Sequence, residues 1–74
     1  MFFDYSKLMG RIKEFGYTQE KFALAIGITP ATLSLKLSNK GFFTQKEIRI
    51  ACQVLEIAET DVGAYFFVKK VQNF

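Results

Sequence analysis

Residues 18–37, TQEKFALAIGITPATLSLKL, decide the fold. Thr18 offers a hydroxyl as N-cap of a short helix, and Glu20 places a carboxylate in its first turn, where the macrodipole favours it. Phe22, Ala23, Ala25 and Ile26 are the apolar positions of that helix, and Gly27 stops it. Ala23 stands four residues after Gln19, where a larger side chain would hold the following helix away. Gly27 stands four further on, where the corner needs positive φ. Ile28 follows as an apolar plug. Thr29 caps a second helix with Pro30 at its first position, where the missing N–H costs nothing. Leu33 and Leu37, four apart, form its inner side. Two helices of about eight residues across a glycine corner are the sequence form of a helix-turn-helix.

The rest of the 74 residues extends this pattern in both directions. Upstream, Leu8, Ile12 and Phe15 recur at helical spacing, with Asp4 or Ser6 as cap and Gly16 as terminator. Downstream, Asn39-Lys40-Gly41 breaks the chain. Thr44-Gln45-Lys46-Glu47 then reads as a capping box, followed by the stripe Ile48, Ala51, Cys52 and Leu55. A short fifth helix is expected over residues 59–65. No repeat or linker divides the sequence, so one domain over residues 1–74 is expected: all-α, with five helices joined by short loops. Phe2, Phe3 and Phe15 read as core or edge packing, Cys52 as core, and Phe43 as a plug between the third and fourth helices. Phe42 reads equally as a contact to a nucleic-acid backbone or to its own bundle.

Composition narrows the function. With no histidine and one cysteine, the usual general base is missing and no structural zinc site or internal disulfide can form from these residues. No enzyme, metal, cofactor or small-molecule ligand is expected. No apolar run approaches the roughly 18 residues of a membrane span, and no secretory signal is visible, so a cytoplasmic protein of a bacterial host cell with no membrane partner is expected. The net charge is +3, and its placement is uneven. All seven carboxylates lie outside the interval between Glu20 and Glu47, while Lys21, Lys36, Lys40 and Lys46 fall on or near the helix-turn-helix. A polyanion meets no carboxylate there.

At this point the chain resembles the Cro- and repressor-like regulators of temperate phages, the XRE-type family with the lambda-repressor-like fold. The likeness spans about residues 5–67. It rests on Gln19, Ala23, Gly27, Ile28 and Leu33, on Phe43-Thr44, and on the YFF of residues 65–67. With LSLKL in its third helix, the chain looks most like small phage-encoded members from Gram-positive bacteria. The resemblance implies a transcriptional regulator that binds double-stranded DNA, with the third helix in the major groove. The base-facing positions would be Thr29, Pro30, Ala31, Thr32, Ser34, Leu35 and Ser38. Phosphate contacts would come from Thr18, Gln19, Lys21, Lys36, Asn39, Lys40, Thr44 and Lys46.

The sequence departs from that family where bases are read. Many relatives carry glutamine, arginine or asparagine at the positions of Pro30, Ala31 and Leu35, and those side chains make the bidentate base contacts. Here only hydroxyls, thymine-methyl contacts and DNA shape remain. Relatives also use the region after the fourth helix for a two-fold dimer on a palindromic operator. That implies a homodimer through residues 59–74, with Tyr65, Phe66, Phe67, Val68, Val71 and Phe74 as interface candidates. No period decides whether residues 67–74 form a strand, a helix extension or a tail. The poor base-reading face supports an alternative function: the same fold used as a protein-interaction module that binds another regulator through apolar surfaces.

Overall fold

Three threonine hydroxyls start three of the helices in the computed structural model, which describes residues 2–71. Thr18 caps α2 (Gln19–Ala25), Thr29 caps α3 (Pro30–Leu37) and Thr44 caps α4 (Gln45–Val54), each accepting the N–H three residues on at 3.1 Å. Such caps contribute about 1 kcal/mol each. At Thr44 the box is complete, because the Thr44 N–H donates back to the Glu47 carboxylate at 3.0 Å. The first helix, α1 (Ser6–Glu14), starts differently from the expectation. Tyr5 occupies the cap position without a side-chain bond, while the Asp4 carboxylate one residue earlier accepts both the backbone N–H and the hydroxyl of Ser6. These bonds hold the Asp4 carboxyl below the usual carboxylate range. A 3₁₀ turn (Glu59–Asp61) leads into α5 (Val62–Phe66), so the expected fifth helix is one residue longer and mixed in type.

The helices surround one core. Phe22, Phe66, Leu8, Leu33 and Leu55 are its largest fully buried side chains, joined by Tyr5, Ile12, Ala23, Ile26, Ala51 and Ile57. Packing runs α2 on α3 and α4, and α1 on α5. Gly27 (φ +86°) makes the corner between α2 and α3, where the Ile28 N–H reaches back to the Ala23 carbonyl at 3.0 Å. Gly16 (φ +79°) ends α1 in the same manner, the Tyr17 N–H bonding the Ile12 carbonyl at 3.1 Å. At the far end of α4 the Arg11 guanidinium donates to the carbonyls of Leu55 (2.9 Å) and Glu56 (3.2 Å), satisfying acceptors that a helix end leaves unpaired.

The two ends of the described chain meet. Phe3 and Lys69 form an isolated antiparallel bridge, flanked by the Asp4 N–H on the Val68 carbonyl (2.7 Å) and the Lys70 N–H on the Phe2 carbonyl (2.9 Å). Aromatic rings line this seam, from Phe67 to Phe3, Tyr5, Phe43 and Phe66, at centroid separations of 5.4–6.2 Å, edge to face except for the tilted Phe3–Tyr5 pair. Phe43 therefore does plug the core beneath α3 and α4, as expected. One expectation fails here. Phe66 is 1% exposed and sits in its own core, so it is no dimer-interface residue. It fills the space that four short helices leave open. Tyr65 is half-buried against the core, with the Lys7 ammonium 4.8 Å from its ring centre. Phe67, Val68 and Val71 remain exposed, and Phe74 lies outside the described residues.

Candidate interface on the helix-turn-helix

The face of α3 points outward as the spacing of Leu33 and Leu37 requires. Pro30, Ala31, Ser34, Leu35 and Ser38 are exposed, Thr29 is exposed at the cap, and Thr32 is half-buried. Its hydroxyls are largely occupied. The Thr29 and Thr32 hydroxyls bond each other at 2.8 Å, and the Ser38 hydroxyl donates to the Ser34 carbonyl at 2.7 Å. Among the described residues only the Ser34 hydroxyl on this face has no intramolecular bond. That leaves one free group where a base reader needs several.

The phosphate candidates divide in the same way. Lys36 is not a free cation: its ammonium meets the Glu47 carboxylate at 2.5 Å, with both side chains only 13% exposed. Burial pushes the Glu47 carboxyl up, but the hydrogen bonds from Lys36 and from the Thr44 backbone, together with the Lys36 charge, outweigh this and hold it below its usual range. One of the four lysines in the acid-free stretch is thus neutralised in space by a carboxylate eleven residues away. Asn39 is committed too. At φ +65°, its amide accepts the Phe3 N–H at 2.7 Å and donates to the Phe3 carbonyl at 3.0 Å, pinning the N-terminal segment of the seam. The Thr18 and Thr44 hydroxyls act as caps. Among the described residues, Gln19 is exposed with no intramolecular side-chain bond, and Lys21, Lys40 and Lys46 are exposed without an ion pair. Four of the eight candidates therefore remain unengaged.

What the surface offers instead is apolar. Leu24 is 65% exposed, Leu35 50% and Phe42 72%, one each on α2, on α3 and in the loop after α3. Leu24 escapes a reading by stripe because it stands one position beyond buried Ala23. Ala25 was expected inside and is exposed. Cys52 is half-buried, and burial pushes its thiol up, as suits a packed thiol more than a reactive one. No helix among the described residues is long and apolar enough to cross a membrane.

The described residues form an all-helical domain in which two short helices meet across a glycine corner beside exposed apolar side chains. Residues 1–69 match the family described as "protein of unknown function (DUF739)", and the chain belongs to that family. It is similar to the modulator of repression (MOR) of the temperate bacteriophage TP901-1 from Lactococcus lactis, known from a solution structure. The two share 44% identity over 97% of each chain, with a TM-score of 0.77. A comparison with curated proteins found no match. The likeness to temperate-phage regulators therefore stands, whereas the matched family is not the XRE-type family that the motif resembles.

Proposed function

We propose that this chain is a modulator in the repression circuit of a temperate phage or prophage, and that it works by binding another regulator through its helix-turn-helix face. One observation carries the reading. On a chain 44% identical to a modulator of repression, the outer side of α3 exposes Leu35 while most of its hydroxyls are bonded internally, and Leu24 on α2 and Phe42 after α3 are exposed as well. Each leucine or phenylalanine buried against a partner contributes about 1.5–3 kcal/mol, so two or three such anchors supply a stable contact. The partner that fits is a DNA-binding repressor of the same phage, whose operator occupancy this chain would alter.

Operator binding by the chain itself is the second reading. It is favoured by the glycine corner at Gly27, the exposed Ser34 and the unpaired Lys21, Lys40 and Lys46, with a homodimer formed through exposed Phe67, Val68 and Val71. Salt separates the two. A protein that neutralises phosphates loses affinity with a log–log slope of about −0.9 per phosphate, whereas an apolar protein contact changes little. Calorimetry of this chain with the repressor, and anisotropy of selected DNA duplexes with this chain alone, should give tight, nearly salt-independent repressor binding and weak DNA binding. Leu35→Glu should abolish the first. Steep, saturable binding to one duplex by the chain alone, without repressor affinity, would establish the second reading.

A further inference from the structure

Behind the helix-turn-helix face, the end of α1 and the borders of α2 and α3 enclose an open groove of about 470 Å³. Met9, Ile12, Tyr17 and Leu37 supply an apolar lining, and Lys13 and Gln19 stand among the lining residues as its polar groups. Its size lies in the range of pockets that take large side chains or small ligands. Two features say what would cover it. Met9 is nearly half exposed although it lies beside buried Ile12 and Leu8, so the apolar surface continues out of the groove. Among the described residues the only ionised lining group is Lys13, which has no ion pair there, and none of them lines the groove with a carboxylate; the neighbouring Glu14 is turned onto Arg11 at 2.6 Å. Gln19 likewise has no intramolecular side-chain bond.

We propose that this groove seats a leucine or phenylalanine from an amphipathic helix of the partner regulator, with a carboxylate one turn away on that helix resting on Lys13. Side chains three or four apart lie on one helix face, so one helix can present both the apolar anchor and the acid. The proposal rests on the regulator-binding reading and adds a second contact to it. Gln19 opens α2 and Leu37 ends α3, so the groove draws its lining from both helices of the helix-turn-helix as well as from α1.

The test is a titration of ¹⁵N-labelled chain with the unlabelled, full-length repressor of the same phage, followed by affinities of variants. Amide signals of Met9, Lys13 and Tyr17 should shift together with those of Leu35 and Phe42. Lys13→Gln should weaken binding at least fivefold and Met9→Asp at least tenfold. Arg49→Gln, an equal loss of charge at an exposed site on α4 away from the groove, should change it less than twofold. Shifts confined to Leu35 and Phe42, or equal losses for Lys13→Gln and Arg49→Gln, would overturn the groove while leaving the regulator-binding reading intact. No binding by the unaltered chain would overturn both. Groove signals that move with the concentration of this chain alone would assign the groove to a second copy, and so also overturn the proposal.

Discussion

Two regions compete to be the binding surface, the outer face of α3 and the segment that follows α4, and the structure treats them oppositely. On α3 the side chains expected outside are outside except half-buried Thr32, because a helix with buried Leu33 must turn Ser34 and Leu35 away. After α4, adjacent aromatics part: Phe66 is 1% exposed and Phe67 is 53% exposed. A helical period assigns faces before any partner is known. A helix of five residues, followed by a chain that pairs with residues more than sixty positions away, has no such period. There the remaining space in the core decides.

The largest effect that could break this contrast is Phe66→Ala. Removing a fully buried ring costs about 3–5 kcal/mol, a fall of roughly 12–40 °C in Tm for a domain this small. Phe67→Ala should cost less than about 1 kcal/mol, since the ring keeps only its edge contact with Phe3 at 5.9 Å. Equal destabilisation in thermal melts would mean that the two rings are not divided between core and surface.

Next comes the tie that takes Lys36 out of the α3 surface. Glu47→Gln keeps a capping residue but loses the charge, and should cost about 1–2 kcal/mol at neutral pH. The Glu47 carboxyl is held below its usual value, so its contribution is full above the unfolded-state value of about 4.3 and is lost as pH falls through the lowered folded value. The gap between the two proteins in urea titrations should therefore close from about pH 5 downward. A gap that persists unchanged at low pH would mean that Lys36 and Glu47 are not coupled.

Of similar size is the pin on the seam. Asn39→Ala removes two hydrogen bonds and places at positive φ a residue that tolerates the left-handed region less well than asparagine, for about 1–2 kcal/mol. Hydrogen exchange should quicken at the Phe3 amide before it quickens at Leu33; uniform quickening would show that the seam is not a separate unit. Leu35→Ser, at the exposed end of the comparison, should change stability by no more than about 0.5 kcal/mol. A larger loss would place Leu35 in the core.

Most of the fold was legible because its signals are local. Thr18, Thr29 and Thr44 are caps within three residues of their donors, and Gly16 and Gly27 are the positive-φ stops their positions suggest. The candidate site was legible in outline only. The face of α3 could be drawn from Leu33 and Leu37, but the state of each group on it depends on partners that sequence distance hides. Lys36 meets Glu47 across the α3–α4 loop, Asn39 reaches back 36 residues to Phe3, and Leu24 shows as surface only once Phe22 and Ala23 are placed inside. Charge counted along the chain gave four lysines in an acid-free window. Charge counted in space leaves three.

The meeting of the chain ends has a topological consequence. With the Asp4 amide on Val68 and the Lys70 amide on Phe2, a short linker can join residue 71 to residue 2 without stretching the backbone. The closed ring can then be cut anew at the exposed loop around Phe42, giving a circular permutant with the helices in the order α4, α5, α1, α2, α3. In that permutant α3 would be the last helix, and a fluorophore or tether could be attached beside it.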